Sequence, residues 1–384
     1  MSDHKHEYVV MFLNCVLPCL TSFFMPVYFK SIGLNGWQMG VLMAIGSLVM
    51  FLASFPIGMI NDNVMSKIMV FISMLLMASY YFGLAVAKNF WILAALYVIW
   101  GVSGNLFRLS LDSLIMKRVG HDGKGRSLGL YVFSNGIGSA IGFFIGGLIL
   151  NVFTFKTAFL ITGVSALVLS VYSLFLPRTM VSTTKLKDYI KDVKDKTVLW
   201  MALLYFLLAY HWGPEKTSVS LFLKEDAGLS MMQSGLVLCI ALVFLGTTGY
   251  VLGKRYDKKL SLKRIVAFGL FMSGLGNVGW YFTTQPLLVL LFRVTHEIGD
   301  GAFAIFIYLA ITEVFKKERL GGNTALMGIV SVLGSVTGTV LSGGLGGLYG
   351  NAFPIFLSGI LTLAALMIVP KLQLSNVKEQ KNLY

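Results

Sequence analysis

Arg293, His296, Glu297 and Asp300 fall within the eight residues RVTHEIGD, between the apolar runs PLLVLLF and GAFAIFIYLAI. Their spacing is i, i+3, i+4 and i+7, so one helix face carries all four. A charge at mid-membrane is unfavourable by roughly 2.5–3.5 kcal/mol on insertion scales, so such a face turns toward partners or water. The chemistry these side chains offer is proton transfer. A carboxyl whose surroundings change between two states can load a proton on one side and release it on the other. Histidine titrates near neutral pH.

A second group lies in YHWGPEKT, which places His211, Trp212 and Glu215 around Pro214 and Lys216. A third, Asn105, Arg108 and Asp112, again falls at i, i+3 and i+7. Asp300 and Glu297 are the first candidates for carrying a coupled proton, with Glu215 next and His296 and His211 as relay or gate. Static pairing of Arg293 with Glu297 and of Arg108 with Asp112 is the alternative, since both pairs are i, i+4 neighbours. Arg293 and Arg108 could also hold an anionic solute. With Asn105 and the aromatic rings of Trp100, Tyr210, Trp212 and Tyr308 they make up the expected substrate cavity; ring faces bind sugars, bases and cations. His211, Glu215, His296 and Glu297 imitate a metal site, but no His-Glu-x-x-His spacing is present. Neither metal, cofactor nor enzymatic activity is expected. The expected coupling ion is H+.

Three long elements must position these residues, and composition says of what kind. The 384 residues are 56% hydrophobic and 12% charged, with a mean hydropathy of +0.78. A soluble domain carries about 25% charged residues. The composition therefore points to an integral membrane protein. Net charge is +14, but 24 of the 31 Lys and Arg fall in the termini and alternate loops. That bias is the positive-inside pattern, so both termini are expected in the cytoplasm and nucleic acid is not expected as a partner. Cys15, Cys19 and Cys239 show neither metal-ligand spacing nor a disulfide framework. The N-terminus shows no removable signal peptide, so the first span is expected to direct insertion.

Twelve apolar runs read as helices near 8–29, 35–60, 64–87, 90–115, 126–151, 155–176, 197–223, 229–253, 264–283, 286–314, 322–349 and 352–370. Each approaches or exceeds the ~20 residues that cross the hydrocarbon core. The predicted organisation is a six-helix bundle over 1–176, a Lys-rich linker with a short amphipathic helix over 177–197, a second bundle over 198–370 and a tail over 371–384. The two halves repeat. SIGLNGWQMGVL aligns with DAGLSMMQSGLV, and GMINDN with GKRYDK, at an offset of 195; GSAIGFFIGG aligns with GSVTGTVLSG at 196. Two copies in one orientation imply a pseudo-twofold axis along the membrane normal.

On these residues the chain resembles the major facilitator superfamily over nearly its whole length. The resemblance implies an all-α membrane protein of 12 transmembrane helices in a 6+6 arrangement. It also implies a monomer that moves a small solute through the lipid bilayer of the cytoplasmic (inner) membrane by alternating access. The family's loop motif between spans 2 and 3 is matched by Gly58, Asp62 and Lys67. A second copy is matched by Gly253, Asp257 and Lys258. The resemblance makes these a conformational latch: Asp62 would meet span 11 near GGNTA, and Asp257 would meet span 5 near GKGRS, only when the cytoplasmic side is closed. The family's glycine-rich span 5 motif is matched by Gly138, Gly142, Gly146 and Gly147, with Gly334 and Gly338 in the second copy. Small residues at that spacing allow close helix packing. Phe143 replaces the motif's proline, and Tyr97 stands where the family's span 4 arginine would align. The alternatives are multidrug efflux by proton antiport and a non-transporting receptor on the same fold.

Overall fold

The computed structural model describes residues 4–34, 36–120, 122–178 and 195–374. The linker residues 179–194, with their expected amphipathic helix, and the tail residues 375–384 lie outside the described residues. No strand occurs among those described.

The first apolar run forms α1 (Lys5–Cys19) and α2 (Met25–Ser31), separated by a 3-10 turn over Ser22–Phe24. One helix over 8–29 was expected. Pro26 has no N–H to give the Ser22 carbonyl, so the chain breaks between them. The next five runs form α3 (Gly36–Asn63), α4 (Ser66–Val86), α5 (Phe90–Arg118), α6 (Lys124–Val152) and α7 (Phe155–Ser173).

The seventh run departs furthest from expectation. Instead of one helix over 197–223 it forms α8 (Lys196–Tyr210), then α9 (Trp212–Thr217), one further turn over Val219–Leu221 and a π turn over Phe222–Asp226. Pro214 cannot donate to the Tyr210 carbonyl and its ring crowds that carbonyl, so the break falls at His211. Then come α10 (Met231–Asp257), α11 (Leu262–Trp280), α12 (Pro286–Val314), α13 (Leu320–Tyr349) and α14 (Ala352–Ala364), the last extended by 3-10 turns to Lys371. Local chemistry sets several starts. Ser230 and Gln233 form a reciprocal capping box at α10. Gln285 accepts the Leu288 N–H at 2.8 Å while Pro286 opens α12, where its missing N–H costs nothing.

Nine of the described helices are long and apolar enough to cross a membrane by length and composition alone. The two broken runs fall outside that set because no single helix in them is long enough, and α11, with 19 residues, falls outside it because its glycines, Asn277 and the Lys263–Arg264 pair lower its hydropathy. Large apolar side chains on the outer faces are exposed, among them Leu52, Val168 and Val340. Such faces suit lipid contact.

The chain forms two compact units. One comprises Met1–Arg118, Gly138–Thr184 and Lys317–Leu326. Within it α3 packs on α5, and α4 packs on both α5 and α7. The other comprises Val119–Ile137, Lys185–Lys316 and Met327–Tyr384. Within it α10 packs on α12, and α11 packs on both α12 and α14. These are the same pairings six spans later, so the repeat read in sequence recurs in packing.

Glycine spacing repeats with it. Gly138, Gly142 and Gly146 of α6 lie against the α1 backbone at Phe12, Val16 and Leu20, so closely that a Cβ on any of them would collide. Gly334 and Gly338 of α13 lie in the same way against Phe206 and Tyr210 of α8. Gly147 meets only the tip of Phe24 and takes no part in the close approach.

Candidate functional site

The four ionisable residues of α12 do share one buried face. Arg293, His296, Glu297 and Asp300 are each at most 7% exposed. Their partners come from the broken seventh run and from α11, all within the second unit. Arg293 donates from Nη1 to Glu215 Oε1 at 2.8 Å and from Nη2 to Glu297 Oε1. Its guanidinium also lies over the Trp280 ring, 5.9 Å from the centroid. The break at His211 makes the rest possible. It lets His211, Trp212 and Glu215 leave the line of α8 and reach the α12 face together. His211 Nε2 and Trp212 Nε1 each lie 3.1 Å from Asp300 Oδ2.

His296 joins the two acids. Its Nε2 lies 2.5 Å from Glu215 Oε1 and 3.7 Å from Asp300 Oδ1. Its Nδ1 faces Ser273, at 3.0 Å from Oγ and 3.1 Å from the carbonyl. Ser273 Oγ donates its single proton to Asp300 Oδ1 at 2.9 Å. Both Ser273 oxygens can then only accept from His296, so Nδ1 carries a hydrogen. A neutral imidazole has one N–H. The short contact between Nε2 and Glu215 therefore requires a second proton, held between the ring and the carboxyl. Three acids and three bases make up the network. It is formally neutral when both histidines are protonated.

Donor atoms of His211, Glu215, His296 and Asp300 lie within 4.8 Å of one another, a grouping that resembles a metal site. The metal-like set read in sequence had Glu297 where Asp300 stands. Glu215 Oε1 already carries Arg293 and His296, and Asp300 already carries His211, Trp212 and Ser273. A cation would have to displace a guanidinium from the oxygen it needs. The group is an ion-pair and hydrogen-bond network whose engaged carboxylate oxygens leave a cation no open ligand there, while His211 Nδ1 and Arg293 Nε stay buried without a hydrogen-bond partner.

The remaining cavity residues have other surroundings. Asn105 gives both amide hydrogens to α3, to the Met50 carbonyl at 2.8 Å and to Ser54 Oγ at 3.0 Å. Tyr210 is buried, and its carbonyl faces Gly338. Tyr308 packs edge-on against Tyr131, with centroids 5.4 Å apart. Trp100 lies beside Gly46 and Tyr97. Arg108 differs. Its side chain is 59% exposed, and Asp112 is 3.9 Å away, beyond hydrogen-bond reach. Ser273 and Trp280 were not singled out in the sequence; a serine and a tryptophan in an apolar span carry no spacing signal.

At the two aspartate motifs the aspartates sit in the last turns of helices, not in loops as expected. Asp62 closes α3, is fully buried, and accepts the N–H groups of Gly321 and Gly322 at 3.0 and 2.8 Å, in the first turn of α13. Lys117 Nζ is 2.7 Å from the same carboxylate. Gly58, one turn earlier, packs against Gly321, Gly322 and Ala325. Asp257 closes α10 and accepts the N–H groups of Gly125 and Arg126 at 2.7 Å each, in the first turn of α6; Gly253 lies against the Gly125 backbone. An acid at a helix C-terminus opposes the helix dipole. Here each carboxylate is answered by the positive N-terminal end of a second helix. Lys258 follows as the exposed cap of α10. Beside this second contact, Glu313 accepts from Lys124 at 2.9 Å and from Tyr256 at 2.6 Å.

Comparison with known proteins agrees with this architecture. The family model for the Major Facilitator Superfamily matches residues 8–262 and 216–383. Quinolone resistance protein NorA of Staphylococcus aureus (strain MRSA252) is 26% identical over 385 residues, covering 93% of this chain and 92% of its own. The multi-drug resistance efflux pump PmrA homolog of Lactococcus lactis is 23% identical, covering 84% and 83%. Multidrug resistance protein MdtG of Citrobacter koseri is 24% identical, covering 90% and 89%. Among solved structures, the transporter FucP in its outward conformation matches with a TM-score of 0.79 at 11% identity, over 98% of this chain and 99% of that one. The human organic anion transporter MFSD10 matches with a TM-score of 0.77 at 14% identity, over 96% and 100%. With a family match that spans the chain, a repeated six-helix packing and a multi-pass membrane fold, this chain belongs to the Major Facilitator Superfamily and is a 12-helix transporter that works by alternating access.

Proposed function

We propose that this chain is a proton-coupled transporter of the cytoplasmic membrane that exports small amphiphilic solutes in exchange for protons. It acts as a monomer with both termini in the cytoplasm, as the distribution of Lys and Arg supports. The observation that carries the coupling is the short His296–Glu215 contact, where the Ser273 hydrogen bonds leave a second proton to be held between ring and carboxyl. Asp300 and Arg293 hold that pair from either side, and Glu297 balances Arg293. A change of shape that separates Glu215, on α9, from α12 would break the contact and release the proton. Solute and proton then move in opposite directions through one conformational cycle. Export is favoured over uptake by the relatives, whose printed names are multidrug and quinolone resistance proteins.

In this reading the two aspartate contacts are latches that hold the cytoplasmic ends of their helices together in one state of the cycle and release in the other. The test of coupling uses protein in liposomes with an imposed pH gradient and a quinolone as solute. Glu215→Gln and Asp300→Asn should each abolish uphill accumulation while leaving solute exchange at equal pH on both sides. Should both variants still concentrate solute against a gradient, the coupling assignment fails.

A further inference from the structure

The acid–base network uses its charges on itself, and Arg108 is a mid-membrane charge among the described side chains that it does not absorb. α5 runs from Phe90 to Arg118, so Arg108 lies about 15 Å from the cytoplasmic end of the helix, within the hydrocarbon core. Exposure at that depth means lipid or water. A lipid-facing residue has exposed neighbours one turn away on the same helix. Around Arg108, Asn105 is 5% exposed, Leu111 0% and Asp112 3%. The large apolar residues of α5 that are exposed, Trp91, Ile92 and Val98, lie toward its other end. The exposure of Arg108 is therefore a local opening, and a guanidinium in it requires water rather than lipid.

Gly104, one turn earlier on the same face, has open space where a Cβ would point. Trp100, a further turn along, is half-buried and offers an apolar flank. The guanidinium has five N–H donors in a planar fork matched to a carboxylate, and Asp112 at 3.9 Å engages none of them within hydrogen-bond distance.

We infer that Arg108 binds an anionic group, of the carboxylate class, on the transported solute. Gly104 leaves room for the body of that solute and Trp100 flanks it. This rests on the transport reading only in that a solute enters the opening; it does not rest on proton coupling. The second half has Phe303 at the equivalent place, 195 residues on, and it is buried. The anchor thus belongs to one half of the repeat and the proton network to the other.

The test is equilibrium binding to the purified full chain at one fixed pH, with no gradient. The probes are a quinolone with one ionised carboxylate and no amine, and its uncharged methyl ester. Wild-type protein should bind the acid at least tenfold tighter than the ester. Arg108→Gln should bring the acid down to the ester's level, and Arg108→Lys should fall between. Equal binding of acid and ester by the wild type, binding of neither, or a preference that survives in Arg108→Gln overturns the assignment. The wild-type ratio decides alone if Arg108→Gln fails to fold. A preserved acid preference in Glu215→Gln and Asp300→Asn that still transport uphill would sink the coupling and leave the anchor standing.

Discussion

Asp62 and Asp257 occupy equivalent places in the repeat, yet removing their charges should have unequal effects. Asp62 is fully buried and holds two backbone N–H groups as well as Lys117, itself buried. Asp62→Asn keeps the size but leaves an ammonium buried without its counter-charge. Breaking one partner of a buried pair costs about 3–5 kcal/mol. Taking 3 kcal/mol as the share felt only while the contact is formed, the ratio of open to closed states rises roughly 150-fold. Asp257 is exposed, holds two N–H groups, and has Lys124 and Glu313 paired beside it. Its replacement by Asn should cost about 1 kcal/mol, a factor of roughly 5. The readout is the labelling rate of a cysteine at Thr324, 8% exposed in α13 next to the first contact, with Cys15, Cys19 and Cys239 replaced by serine. When opening is fast, labelling by a membrane-impermeant maleimide reports the open fraction. Asp62→Asn should accelerate it by two orders of magnitude. No acceleration, or a greater one from Asp257→Asn, refutes the burial argument.

Two other perturbations follow from the network. Arg293→Met leaves Glu215 and Glu297 without their shared cation, so melting in detergent should show a loss of about 3–5 kcal/mol; Arg293→Met with Glu297→Gln should recover much of it, and a double variant less stable than the single one would contradict the pairing. Added zinc should leave the melting temperature unchanged, because Arg293 and His296 already occupy Glu215; a rise of several degrees would mean that a metal competes successfully for the site.

Much of the fold was legible along the chain because membrane insertion writes it in one dimension. Apolar runs of span length, alternate basic loops and a 195-residue repeat follow from lipid solvation and the satisfaction of backbone hydrogen bonds, which act on local sequence. The α12 face was readable for the same reason: helical periodicity alone puts Arg293, His296, Glu297 and Asp300 together. What surrounds that face was not readable. Pro214 signals a break, but only tertiary packing decides that the break swings His211, Trp212 and Glu215 onto α12. Ser273 enters through the crossing of α11 and α12, and nothing in the apolar run around Ser273 marks that contact. The same holds at Asp62, where the local sequence does not say which cation answers its buried carboxylate. Lys117, 55 residues downstream, supplies the missing charge. Spacing along a helix fixes which side chains share a face; which faces meet, and which charges thereby lose water or keep it, as Arg108 does, is decided by how the helices pack.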